Sequence, residues 1–264
     1  MQDVPTTAAP ADGIRIITRG DDAGSTRSAN LAIRECAETG LLRNISFLAT
    51  APEIQHAAEI LRPLVDRCDF GLHTCLTSEF DRPLYRPVAE PSKIPMLLDS
   101  RGGFFRNAAE LQAADVPVEQ VVAEWDAQLS HLRRLGIEPT YVDVHMGVTW
   151  IGDYEQALAA FAERESLICN RAVERQRLPE PDGANTMEPI ARFAAAVRAA
   201  DTGTYFILGH PAYDDAEMRG IIRSGEVDTD IAAQRNQQRL LFLDDEVKRA
   251  FAEKGATAIR YSEA

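Results

Sequence analysis

The chain has 264 residues, 45% of them hydrophobic, which suits one large α/β domain with a sizeable core. A formal net charge of −13 argues against a surface for nucleic acid or anionic membranes and is compatible with a homodimer. Four scattered cysteines without a C-x-x-C pair indicate neither a disulfide framework nor a zinc finger. Since no run approaches the roughly 20 apolar residues of a membrane helix, we expect a cytoplasmic protein.

The first twelve residues are rich in Ala, Pro and Thr and lack a basic start followed by an apolar stretch. This composition predicts a flexible leader at 1–12 rather than a signal peptide. No repeat or linker divides the remainder, so we expect a single domain over 13–264.

Strands and helices alternate along this domain. The predicted strands lie at 14–18, 45–48, 68–73, 141–145, 166–169, 204–208 and 257–261. The predicted helices lie at 28–37 (capped by Thr26 or Ser28), 53–66, 118–135, 154–163 and 188–200, with further helical segments filling 216–249. Residues 76–116 contain four prolines and two adjacent glycines, which predicts a long loop of the kind that is usually functional.

About seven strands with helices between them predict a parallel sheet with right-handed crossovers. Such units close naturally into a barrel. The predicted fold is therefore α/β, a distorted TIM-like (β/α) barrel in one domain.

Metal-binding residue types stand at the ends of three predicted strands. Asp21 and Asp22 follow the first strand, and the third and fourth strands end in His73 and His145. If these strands are neighbours in one parallel sheet, Asp22, His73 and His145 converge at its carboxyl edge, where ligands bind in α/β folds. Any one such histidine is as readily a hydrogen-bonded structural residue, but several at equivalent places favour a site.

One aspartate and two histidines leave open coordination positions on Zn²⁺, Fe²⁺ or a similar ion, which is typical of catalytic rather than structural metal sites. The ion would activate a water, and a neighbouring carboxylate must then accept a proton. Asp21 suits that role while Asp22 binds the metal. The alternative for the pair is an N-cap of the following helix.

Four further residues are candidates for the site. His210, at the end of the strand at 204–208, could protonate a leaving amine or could be a turn residue before Pro211. Asp143 points to the same side of its strand as His145 and could orient a ligand or belong to a polar layer. Arg19 and Glu79 could contact substrate, although charged loop residues are usually only solvated.

Four segments in order, 20–24 (GDDAG), 71–77 (GLHTCLT), 139–147 (PTYVDVHMG) and 209–211 (GHP), resemble the YdjC-like (ChbG/HpnK) carbohydrate deacetylases. The resemblance covers roughly residues 14–262, within a sub-branch that has an Asp-x-His-Met-Gly motif. It implies a distorted barrel that removes an N-acetyl group from an amino sugar with one divalent ion, Zn²⁺ or Mg²⁺. It also implies that Asp22, His73 and His145 bind the metal, Asp21 is the base and His210 the acid.

Two departures limit what the resemblance implies about substrate. Many members have Asn-Ala before the aspartate pair, where this chain has Arg19-Gly20. Many also have further histidines where Met146-Gly147 stands here. The three-ligand site survives both changes, whereas a chitooligosaccharide substrate does not follow.

The leading hypothesis is therefore a metal-dependent carbohydrate N-deacetylase with a small acetylated sugar as substrate. The alternatives are a metal-dependent hydrolase of another amide or ester, and a non-catalytic sugar-binding protein with a degenerate site. A non-haem iron oxygenase also uses two histidines and one carboxylate, but its ligands commonly form a close H-x-D pair, unlike the spacing here. Retention of both Asp21 and Asp22 argues against a pure binding protein, because binding alone needs no base.

Overall fold

The computed structural model describes residues 13–264, so the predicted leader at 1–12 lies outside the described residues. One sheet of seven parallel strands forms its centre. The strands of this sheet are β1 (Ile14–Ala23), β2 (Asn44–Phe47), β3 (Asp69–Thr74), β4 (Tyr141–Val144), β5 (Ile168–Cys169), β6 (Gly203–Gly209) and β9 (Thr257–Ile259). The helices are α1 (Arg27–Glu38), α2 (Ile54–Leu61), α3 (Ala108–Ala113), α4 (Val118–Arg134), α5 (Tyr154–Arg164), α6 (Pro189–Ala199), α7 (Ile231–Leu243) and α8 (Asp245–Lys254).

The strands follow the order β5-β4-β3-β2-β1-β6, and β9 also pairs with β1. β1 has β6 along one edge, while β9 and β2 pair with successive halves of its other edge. Both faces of β1 are covered, and all of its residues except Arg15 are buried, Ile16 and Ile17 completely.

The sheet curls so far that its ends approach each other. Beyond β5 the chain makes an isolated parallel bridge from Gln176 to Tyr205 of β6. Gln176 donates its backbone N–H to the carbonyl of Thr204 and accepts from Phe206 through its own carbonyl. The predicted α/β fold, a distorted barrel of about seven parallel strands, is confirmed.

The apolar stripe predicted for residues 118–135 lies on α4. Val121, Trp125, Leu129 and Leu132 are buried at spacings of three and four residues. Trp125 packs against Phe161 of α5 with ring centroids 5.8 Å apart. This face packs α4 against β3, the strand that carries His73.

The expectation that helical segments fill 216–249 is wrong over part of that range. Residues there form the hairpin of β7 (Ile222–Arg223) and β8 (Glu226–Val227) before α7 begins. Ser224 and Gly225 form its turn with φ of 53° and 85°, and two residues with positive φ match the twist of a tight hairpin. The long loop after β3 likewise contains α3, whose first turn is capped by the Asn107 side chain.

Within residues 13–264, no helix combines the length and apolar character needed to cross a membrane.

Candidate metal centre

Three strand ends bring Asp22, His73 and His145 together. Asp22 Oδ1 lies 3.5 Å from His73 Nε2 and 3.4 Å from His145 Nδ1. All three residues are buried, with relative exposures of 6%, 2% and 3%. One ligand atom from each therefore surrounds a point that a single ion could occupy.

A β-bulge in β1 explains how two adjacent aspartates both reach this region. β1 pairs regularly with β2 up to Gly20 and resumes at Ala23, so Asp21 and Asp22 together face one residue of β2. Asp22 has φ of 66°, in the left-handed region that aspartate tolerates better than most residues. Adjacent residues of a regular strand point to opposite faces, and the bulge removes that restriction.

Each histidine is oriented by a second carboxylate. His73 Nδ1 lies 2.9 Å from Asp143 Oδ2, and His145 Nε2 lies 3.0 Å from Glu79 Oε2. A carboxylate accepts the N–H of one ring nitrogen, which leaves the other nitrogen facing Asp22. Carboxylate–histidine pairs of this kind fix the tautomer and raise the basicity of metal-binding histidines.

In the metal-free chain the same carboxylates keep both rings charged. Burial opposes the charge on His73, but Asp143 and Asp21 outweigh it and raise its pKa to about 9. Burial likewise opposes the charge on His145. The pKa of His145 still lies well above the ordinary histidine value, mainly because of the nearby Glu79 carboxylate. The extra protons on His73 and His145 supply positive charge among these carboxylates, as a bound cation would.

The donor atoms fit a divalent ion at Asp22, His73 and His145. Asp22 Oδ1 is buried and makes no well-formed hydrogen bond, since its nearest neighbours are the two histidine nitrogens at 3.4 and 3.5 Å, and an ion between these atoms would supply a partner. A second cluster, Asp21, His73 and Asp143, also meets the spacing for a metal. There the guanidinium of Arg19 already supplies the positive charge, so the first cluster is the better site.

Arg19 joins the two carboxylates that flank this centre. Its Nε and Nη2 donate to the two oxygens of Asp21 at 2.6 and 2.8 Å, and its Nη1 lies 2.8 Å from Asp143 Oδ2. Burial favours the neutral form of Asp21, but Arg19 reverses this and lowers the pKa of that carboxyl. Asp21 is thus held as a carboxylate in one orientation beside Asp22.

His210 follows β6, and Gly209 at the end of that strand pairs with Gly20 just before the aspartates. Gln238 of α7 accepts from the His210 backbone N–H at 2.6 Å and from its Nδ1 at 3.2 Å. Burial, reinforced by Arg235, lowers the pKa of His210, although Asp22 and Asp21 oppose the shift. The ring is therefore held by Nδ1 and leaves Nε2 available.

Comparison with known proteins identifies the family. The model of YdjC-like proteins matches residues 15–253. The chain belongs to the YdjC-like family.

Two curated relatives of this YdjC-like chain match it almost end to end. A carbohydrate deacetylase of Thermoanaerobacter pseudethanolicus is 23% identical, covering 94% of this chain and 98% of its own. A carbohydrate deacetylase of Geobacillus stearothermophilus is 27% identical, covering 94% and 96%. The crystal structure of a candidate cellobiose-phosphate cleavage protein from Enterococcus faecalis V583 superposes with a TM-score of 0.75 at 22% identity, covering 95% of this chain and 98% of that one. That last likeness shows a shared fold.

Several residues that support the site were missed from sequence. Ser46 of β2 bridges Asp143 Oδ2 at 3.2 Å and the Tyr141 hydroxyl at 2.7 Å. Gly71 leaves room for that tyrosine, since a Cβ there would lie 2.2 Å from its ring. Ser46 interrupts the otherwise apolar stretch predicted as a strand at 45–48, and that single polar residue was the available signal.

The loop after β3 is fastened by two buried polar residues of α4, also missed. Gln128 accepts from the backbone N–H of Cys75 at 3.0 Å and donates to its carbonyl at 2.7 Å. Glu124 accepts from the backbone N–H groups of Val88 and Ala89, both at 2.9 Å. Their signal was a glutamate and a glutamine four residues apart on the apolar face of a helix.

A cavity of about 460 Å³ opens at the carboxyl edge of the sheet. Its walls come from the loops after β1, β2, β3 and β6, through residues such as Ser25, Pro52, Leu84 and Ile221. Its volume lies in the range of small-molecule sites, and its walls belong to the loops near the centre rather than to Asp22, His73 or His145 themselves.

Proposed function

We propose that this chain is a metal-dependent carbohydrate deacetylase, which hydrolyses the N-acetyl group of an acetylated amino sugar. Family membership and the names of its curated relatives support the reaction class. The observation that carries the metal dependence is the unpartnered, buried Asp22 Oδ1 between two imidazole nitrogens, each backed by a carboxylate.

Asp22 Oδ1, His73 Nε2 and His145 Nδ1 would hold one divalent ion. Two imidazole nitrogens and one carboxylate suit Zn²⁺ better than Mg²⁺, which prefers oxygen ligands and retains waters. When bound, the ion supplies Lewis-acid chemistry at the carbonyl group to be hydrolysed.

The protein's own residues then move the protons. Asp21, kept ionised by Arg19, accepts a proton from the water whose oxygen attacks the acetamide carbon. His210, which takes up a proton from solvent at Nε2, gives that proton to the sugar nitrogen as the C–N bond breaks, so acetate and a free amine leave. A low histidine pKa makes the charged ring a strong donor at this step.

The test measures acetate released from N-acetylglucosamine and di-N-acetylchitobiose by protein loaded with Zn²⁺, Mg²⁺, Mn²⁺ or Co²⁺. We expect turnover with at least one metal and about one ion per chain. Asp21→Asn should keep the ion and lose about 10²- to 10⁴-fold in kcat, the usual range for removing a general base. His73→Ala should lose the ion itself.

Asp201→Asn is the matched control, because Asp201 is exposed before β6 at the opposite edge of the sheet. It should behave as the unaltered protein. Full acetate release by Asp21→Asn would remove that residue as base, and full activity in metal-free protein would refute the metal dependence.

A further inference from the structure

Two large apolar side chains are exposed directly after His145. Met146 is 54% and Trp150 56% exposed, although tryptophan is among the more buried residues on average. Val148, Thr149 and Ile151 of the same segment are buried. The backbone is thus anchored from inside while Met146 and Trp150 project outward at the carboxyl edge of the sheet.

The backbone at this point is strained. Met146 (φ 55°, ψ 9°) and Gly147 (φ 62°, ψ 32°) are both left-handed and turn the chain sharply after His145. Asn, Asp or Gly accept this conformation more readily than Met. Backbone strain of this kind concentrates at functional sites, where the surrounding structure imposes it.

We propose that Trp150, exposed in the same segment as Met146, is a stacking platform for a sugar ring of the substrate, one ring away from the acetamido group that reacts. This inference rests on the proposed function. The C–H groups of a pyranose form an apolar face that packs on a flat aromatic ring, and tryptophan offers the largest such surface. Trp150 lies in the same short segment as His145, which turns sharply at Met146 and Gly147 and so keeps the tryptophan close in the chain to the candidate metal-binding histidine.

The position relative to the metal centre favours a substrate over a partner protein. Met146 follows His145 directly in the chain. A substrate whose amide group lies at the metal centre must therefore pass Met146 if it extends along residues 145–150. The platform would therefore act on chains of two or more sugars and have little effect on a single sugar.

The first test is tryptophan fluorescence, because the chain has only two tryptophans and Trp125 is fully buried. Metal-loaded Asp21→Asn protein is titrated with di-N-acetylchitobiose. We expect a saturable blue shift from Trp150 that Trp150→Phe abolishes. A sugar that binds without changing the emission, or emission that does not respond at all, would overturn the platform.

The second test separates binding from chemistry in otherwise unaltered enzyme. Trp150→Ala should raise KM for di-N-acetylchitobiose about tenfold, as expected for loss of an aromatic contact, with kcat changed less than twofold. KM for N-acetylglucosamine should change less than twofold, and Trp150→Phe should restore most of the disaccharide KM. Val65→Ala, which alters an equally exposed apolar residue ahead of β3 at the opposite edge, should change nothing.

The outcomes distinguish this inference from the proposed function. If no sugar yields acetate with any metal, the deacetylase proposal fails, while the fluorescence titration still decides whether Trp150 contacts sugar. If acetate is released and Trp150→Ala has an unchanged KM, or weakens both sugars equally, the platform is wrong and the function stands. A dimer that Trp150→Ala converts to monomers, without a sugar response, would assign the surface to a second copy of the chain.

Discussion

Arg19 connects the buried charged residues of the centre. It is 4% exposed and contacts Asp21 and Asp143, while Tyr261 accepts a further hydrogen bond from it at 3.3 Å. Through Asp143 it also reaches His73, so one guanidinium orients the proposed base and a proposed metal ligand. The sequence predicted Arg19 at a strand end but could not assign these partners, because Asp143 is 124 positions later and meets it only through strand pairing.

Replacing Arg19 should cost stability as well as activity. Arg19→Met leaves two buried carboxylates without a counter-charge, and breaking a buried pair in this way typically costs about 3–5 kcal/mol. Arg19→Lys keeps the charge but loses the two-pronged contact with Asp21, so we expect a smaller loss of stability and a large fall in kcat. Urea unfolding measures the first effect and acetate release the second.

The control is Arg34→Met. Arg34 forms an exposed pair with Glu38 one helical turn away, and such pairs contribute about 0.3–0.5 kcal/mol. Equal destabilisation by Arg19→Met and Arg34→Met would show that the buried network does not hold the centre together.

Within individual helices and strands, the sequence predicted the features that depend on neighbouring residues of the chain, such as helix caps. Thr26, one of the two predicted caps of α1, accepts from the Ala29 N–H. The bulge at Asp21 and Asp22 was not predictable, because it depends on the pairing of β1 with β2. The β7–β8 hairpin was missed because its strands have two residues each, too few to show alternation.

Helix α4 acts on the centre through the loop it holds. The Glu124 carboxylate accepts hydrogen bonds from three donors, two backbone N–H groups and the Gln128 side chain. A side chain at this position must therefore only accept hydrogen bonds. Glu124→Gln turns an N–H₂ toward one of these donors, and a buried donor left without a partner costs about 1–3 kcal/mol. Because the loop carries Glu79, we also expect weaker metal binding.

Thermal or urea unfolding and calorimetric metal titration measure these two effects. Glu119→Gln is the control, since Glu119 is an exposed residue on the same helix. Metal affinity that falls equally in both variants would mean that α4 does not act through the loop.

The order of the strands in the sheet brings the residues of the centre together. β1, β2 and β3 are successive neighbours and β4 follows, so residues from 22 to 145 in the chain meet at one sheet edge. Alternating strands and helices were enough to predict this convergence, because parallel strands place all their carboxyl ends together. Closure of the barrel through Gln176 was not foreseeable, as it rests on a single bridge in an irregular segment.

The carboxylates around the two buried histidines also favour protons on those rings, and these protons would compete with the proposed metal ion. In the metal-free chain the His73 pKa is about 9 and that of His145 is also raised, so both rings carry protons near neutral pH. At pH values below the ordinary histidine pKa of about 6.5, the charged rings give their full stabilisation to the metal-free fold. For His73 this stabilisation is lost as the pH rises through about 9. A metal ion must displace these protons, since only the deprotonated nitrogen binds it.

The apparent Kd for Zn²⁺ should therefore fall about tenfold per pH unit for each proton displaced between pH 6.5 and 9. Calorimetry in two buffers of different ionisation enthalpy counts the protons, and melting of loaded and metal-free protein should show a gap in Tm that widens with pH. Glu79→Gln lowers the His145 pKa by removing its main cause, so it should release fewer protons near pH 7. A Kd independent of pH would contradict charged histidines in the metal-free chain, and with them the balance of charges described for this centre.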